Sequence, residues 1–164
     1  MHIKLRKTLI GLVALLAIGG GAFGFMAYSS GLFSNAEIYS TASGAIDGYD
    51  PVAYFTEGIA TPGSELIVTE HLGVSWHFAT QENRQLFLDN PERYMPQYGG
   101  FCAYAMSENY TAYTDPQAWS LVDDRLYLNY SADVKVQWEN DKLARIATGN
   151  ENWQQRVLRL AGND

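Results

Sequence analysis

Residues 9–28 carry no charged side chain, and Lys4, Arg6 and Lys7 stand directly before them. The stretch TLIGLVALLAIGGGAFGFMAY, residues 8–28, is long enough as a helix to cross a hydrocarbon layer of about 30 Å at roughly 1.5 Å per residue. The basic cluster places the start of the chain in the cytoplasm by the positive-inside rule. Gly19, Gly20, Gly21 and Gly24 weaken a helix in water but are tolerated in a membrane, and Gly20 and Gly24 form a small-xxx-small pattern. Two fates fit this segment: a cleaved signal peptide or a retained signal anchor. The run exceeds the roughly 7–15 residues of a secretory h-region, and Ala27-Tyr28-Ser29 is only a loose cleavage site. The expectation is therefore an inner-membrane anchor at residues 1–28, with the domain on the periplasmic or extracellular side. Secretion after cleavage is the alternative. Both export the body of the chain.

The rest of the molecule is acidic. Outside residues 1–28, Lys and Arg fall from 11 to 8 against 18 Asp and Glu, a formal charge of −10. Phosphate contacts need Lys and Arg, so nucleic acid is excluded as a partner; a cationic small ligand or a metal ion suits the field better. Cys102 is the single cysteine of 164 residues, which rules out an intramolecular disulfide. No P-loop, dinucleotide fingerprint or Gly-x-Ser-x-Gly elbow is present.

Residues 29–46, rich in Ser, Gly, Ala and Thr, read as a linker, and residues 47–160 as one α+β domain with two short hairpins and several short helices. The first hairpin pairs residues 66–69 with 74–78 around His71-Leu72-Gly73, with Val74, Trp76 and Phe78 on one face and Ser75 and His77 on the other. Thr80 caps a helix reaching about Asp89, and Pro91 stops it and opens another. Gln97-Tyr98-Gly99-Gly100 breaks the chain before a short helix over 101–107, and Asp115-Pro116 marks a turn. Residues 119–122 and 125–130 form the second hairpin across Asp123-Asp124, with Leu126 and Leu128 on the inner face of a half-buried strand. Ser131 caps a helix that Gly149 ends, and Trp153, Val157 and Leu160 mark a last amphipathic helix.

The stretch richest in chemistry is Tyr98-Gly-Gly-Phe-Cys-Ala-Tyr-Ala-Met106. In a helix starting at Phe101, Cys102 and Met106 lie one turn apart on one face. A thiolate and a thioether at that separation suit a soft ion such as Cu(I); the alternative is a small buried hydrophobe beside a gap-filling thioether. His77 is the supplementary ligand to consider, and His71 a surface histidine. A thiol nucleophile needs one of these imidazoles as its base, and a structural zinc site needs more nitrogen and sulfur ligands than the body holds. The aromatic density around Tyr98, Phe101 and Tyr104 would line a pocket for an apolar or cationic ligand, or simply fill a core.

Several strings in order resemble the YHS domain family, in particular its exported stand-alone bacterial members. They are Gly48-Tyr-Asp-Pro-Val-Ala-Tyr-Phe55, Trp76-His-Phe-Ala-Thr-x-Glu-Asn-Arg-x-x-Phe-x-x-x-Pro-Glu-Arg-Tyr94, Gly99-Gly-Phe-Cys-Ala-Tyr-Ala-Met106, Asp115-Pro-x-Ala-Trp119 and Leu126-Tyr-Leu-Asn-Tyr130. The resemblance covers residues 47–153. It implies a small α+β module associated with metal handling. The Tyr-His-Ser triplet itself is not intact: Phe78 and Ala79 stand where the family often has His or Cys and then Ser. His77 falls on the preceding aromatic position and inherits no ligand role. Asn83 occupies the helix position where many relatives carry a second cysteine, which leaves Cys102 as the sulfur anchor.

The expectation is an exported, membrane-tethered, non-catalytic YHS module that binds a soft metal ion, copper foremost, through Cys102 and Met106. The alternative is a cell-envelope ligand-binding or protein-interaction module with an inert buried cysteine. A thiol-dependent enzyme is the third reading.

Overall fold

The computed structural model describes residues 38–162. Among them no helix is long and apolar enough to cross a membrane; the apolar run at residues 8–28 lies outside the described residues.

The architecture is α+β, built on short antiparallel hairpins. A minimal pair, β1 (Ser40–Thr41) and β2 (Gly44–Ala45), leads through a 3-10 turn at Ile46–Gly48 to α1 (Ala53–Thr56). Then come β3 (Ser64–His71) and β4 (Val74–Phe78), α2 (Gln81–Asp89), α3 (Pro91–Tyr94) and a tight turn at Gln97–Gly100. Helix α4 (Ala103–Ser107), β5 (Asp115–Val122), β6 (Arg125–Asn129), α5 (Ala132–Asn140) and α6 (Lys142–Ala161) complete it. Three two-stranded sheets result, β1–β2, β3–β4 and β5–β6.

Turn chemistry sets both larger hairpins. Leu72 and Gly73 adopt φ values of 52° and 74°, and Asp123 and Asp124 of 50° and 58°, the left-handed pairs whose twist matches flanking strands. Side-chain caps start three helices: Thr80 accepts from the Asn83 amide at 3.0 Å, Asn90 from Arg93 at 3.3 Å and Ser131 from Val134 at 3.3 Å.

Two apolar clusters share one wall. Ile46, Val52, Tyr54, Trp76, Phe78 and Phe87 pack with Leu126 and Leu128 in the first. Tyr98, Phe101, Met106, Trp138, Trp153 and Val157 pack with Tyr127 in the second. Strand β6 therefore points alternate residues into both clusters, and residues 126–129 are all buried. This corrects the half-buried strand expected from its alternation: Tyr127 and Asn129 face helices where solvent was expected.

Other boundaries also move. Asp115-Pro116 opens β5, with its turn reduced to an Asx turn in which the Gln117 amide donates to Asp115 Oδ1 at 2.8 Å; a proline at the start of a strand removes no needed ladder bond. Gly149 ends no helix; α5 stops at Asn140 and α6 runs through Gly149, whose missing Cβ admits the Tyr98 ring. A Cβ there would stand 2.8 Å from the Tyr98 hydroxyl oxygen. Packing also begins before residue 47, because Ala45 and Ile46 are buried in the first cluster. Gly44, at φ +98°, lies so close to β4 that a Cβ would come within 2.5 Å of the Ser75 carbonyl oxygen.

The first cluster is closed by a buried acid. Asp50 Oδ1 accepts from the Val52 amide at 2.8 Å and the Ala53 amide at 3.4 Å. Its Oδ2 accepts from the Ala79 amide and from Asn83 Nδ2, each at 2.8 Å. One carboxylate thus ties the segment before α1 to the end of β4 and the first turn of α2. Asp50→Ala leaves the buried Val52 and Ala53 amides, the half-buried Ala79 amide and the Asn83 side chain without their acceptor. Urea unfolding should show a loss of roughly 3 kcal/mol or more; a loss below about 1 kcal/mol would mean that water replaces the carboxylate at little cost.

Candidate functional site

The thiol is placed by an unusual turn. Tyr98, Gly99 and Gly100 all take positive φ, at 57°, 61° and 86°. Phe101 then resumes an extended conformation at φ −72° and ψ 156°, and Cys102 caps α4 at φ −55° and ψ 121°. The helix expected over 101–107 thus starts at Ala103, because the ψ values of Phe101 and Cys102 lie outside the helical region. Cys102 and Met106 flank one turn all the same, with the Met106 amide donating to the Cys102 carbonyl at 2.9 Å.

Cys102 is 1% exposed. Its amide donates to the Ala112 carbonyl at 3.0 Å, and its Sγ donates to Asn129 Oδ1 at 3.8 Å. The Tyr104 amide donates to the same Oδ1 at 3.2 Å, which fixes the orientation of the Asn129 side chain. Asn129 Nδ2, buried on the other side of that amide, has no hydrogen-bond partner among the described residues. Met106 is buried in the second cluster among aromatic rings.

The histidines lie elsewhere in the contact pattern. On β4, His77 packs over β2: a Cβ on Gly44 would stand 3.1 Å from its Cδ2 and 3.2 Å from its Nε2. His71 meets the edge of Phe87, with ring centres 5.7 Å apart, and burial lowers its pKa against the pull of Glu92. Among the described residues neither imidazole bonds to the Cys102 sulfur, and no three His, Cys, Asp or Glu side chains gather as a metal-binding group.

Tyr98, Phe101 and Tyr104 come together in the second cluster, where their rings are packed. Tyr98 lies between Tyr127 and Trp153 at centroid distances of 5.8 and 6.3 Å, and its hydroxyl donates to Asn150 Oδ1 at 3.1 Å or the Ile146 carbonyl at 3.3 Å. Burial raises its pKa strongly, so the phenol stays neutral. Tyr104 forms a shelf for Arg145, whose guanidinium carbon is 4.1 Å from the ring centre. Arg145 Nη1 also donates to Ser107 Oγ at 2.9 Å and Glu108 Oε1 at 3.0 Å. Beside it lies a shallow cleft of about 280 Å³ lined by Ser107, Glu108, Asp141, Ala144, Arg145 and Thr148.

Two features escape a reading of the sequence. Asn129 looks like one more residue of an alternating strand, yet it holds the thiol. Tyr113 and Tyr130 are 17 positions apart and meet on the surface, with ring centres at 5.0 Å and hydroxyl oxygens 3.4 Å apart. They are 59% and 44% exposed. The only signal for this pair is aromatic density. No family model, curated protein or solved structure matches the chain.

A thiol this enclosed reacts only when the structure opens, and each 1.4 kcal/mol of opening energy slows it about tenfold. Native Cys102 should therefore alkylate at least about a hundredfold more slowly than in urea-unfolded protein. Comparable rates in the two states would place the sulfur at the surface.

Proposed function

We propose that this chain is an exported, membrane-tethered module of YHS type that works by binding and not by catalysis, with Cys102 an inert buried thiol. The observation that carries this reading is the contrast between the two candidate surfaces. Cys102 is 1% exposed and its thiol hydrogen is directed to Asn129, whereas the Tyr113–Tyr130 pair stands open to solvent. Tethering rests on Lys4, Arg6 and Lys7 before the apolar run, and the acidic body is the part exported. A thiol enzyme would need a proton acceptor at the sulfur, and the group bonded to it is a side-chain amide, which takes no proton at neutral pH.

The second reading, a soft-metal site at Cys102 and Met106 with copper as its ion, keeps one supporting observation. Both residues belong to a single hydrogen-bonded turn, so small movements of α4 would bring both sulfurs to one ion. In that arrangement the ion displaces the thiol proton, and His77 is the supplementary ligand to test. Competition titration of the full chain with Cu(I) against a chelator separates the two. The binding-module reading predicts the same copper retention in the wild type and in Cys102→Ala. Stoichiometric retention that Cys102→Ala abolishes would replace it with the metal reading.

A further inference from the structure

The described chain begins at an aromatic face. The Tyr39 amide donates to the Gly99 carbonyl at 2.9 Å, and the Tyr39 ring lies 5.6 Å from Phe101. Tyr113 is close enough to Tyr39 for their phenols to interact electrostatically, and Tyr130 pairs with Tyr113. Tyr110, 53% exposed, extends the same loop. No charged residue occurs at positions 94–107 or 109–114, in a body whose formal charge is −10. At the rim, Arg156 sits over the Phe101 ring at 5.7 Å, and Asp47 takes the Thr41 hydroxyl at 2.7 Å.

We infer that the face formed by Tyr39, Tyr113 and Tyr130, laid over the buried Phe101 ring, seats the domain on the lipid–water interface of the membrane that holds residues 8–28. The inference rests on the tethered reading above. Only residues 29–38 separate Tyr28 from Tyr39, a reach of roughly 35–40 Å when fully extended. Such a tether holds the face at an effective concentration on the order of millimolar at the bilayer surface, so weak contacts suffice. Tyrosine suits that boundary because its ring enters the acyl edge while its hydroxyl stays hydrated. Charge selects this face over others: bringing carboxylates to the bilayer costs desolvation and, on anionic lipid, repulsion; positions 109–114 carry none, and Glu108 at the start of the loop is paired with Arg145.

The full chain in phosphatidylcholine nanodiscs tests the inference, with a nitroxide at Tyr113→Cys compared with one at Leu66→Cys. Leu66 is 92% exposed on β3. The buried Cys102 stays in place, with the unlabelled state of the parent checked. The ratio of oxygen to nickel-chelate accessibility should be several-fold higher at 113 than at 66, and Tyr130→Cys gives the same readout should the first variant not fold. Aqueous values at both positions in a chain that remains in the discs would overturn the seating and leave the tether standing. A chain that does not enter the discs overturns the tether and the seating together. Exclusion of both reagents at 113 with spin–spin broadening would assign the face to a second copy of the chain in place of lipid.

Discussion

A single carboxylate, with no charged partner among the described residues, holds the first half of this fold together. Asp50 is fully buried, and its hydrogen-bond donors are three backbone amides and the Asn83 side chain. Removing a carboxylate from water is expensive, and it persists here because both oxygens are supplied with donors that the fold holds in place. Those donors come from three elements: the turn into α1, the residue after β4 and the first turn of α2. None of the three is long enough to stand alone; α1 has four residues and β4 five. The acid converts short pieces into one unit, and Trp76, Phe78 and Phe87 then close over it as the apolar floor.

The second half is joined to the first through β6. Leu126 and Leu128 enter one cluster and Tyr127 the other, so the register of a five-residue strand fixes both cores at once. A slip of one residue would exchange the two sets. The left-handed turn at Tyr98 and Gly99 sends the Tyr98 ring into α6, where Gly149 leaves room for it, and it delivers Cys102 to Asn129 at the end of β6. The buried thiol is thus a consequence of the same strand that partitions the core.

Local signals were legible and distant ones were not. Thr80 and Ser131 announce their helices because a cap acts within three residues, and Pro91 announces the next one from its first turn; the Asn90 cap itself went unread. Both larger hairpins were legible from β-prone runs flanking their turn residues. The role of Asp50 was hidden, since Asp-Pro reads as a turn and its partners Ala79 and Asn83 lie 29 and 33 positions away. Asn83, notable in the sequence for standing where the resembled family often has cysteine, proves to be a donor to that acid. Gly149 was misread for the same reason: its glycine answers to a ring 51 positions earlier and not to a helix end. At the candidate site the proximity of Cys102 to Met106 along the chain was visible, whereas the Asn129 contact and the Tyr113–Tyr130 pair depend on how β6 and the loop after α4 meet.

If Asp50 is the tie between these elements, the amides it holds must share the stability of the whole domain. Native-state hydrogen exchange resolves this directly at Val52 and Ala79, whose N–H groups both bond to the carboxylate. The account predicts that both exchange only on global unfolding, with protection equal to that of the buried amides of β6. Exchange at Val52 and Ala79 orders of magnitude faster than in β6 would contradict it, because the acid would then close a loop that opens on its own.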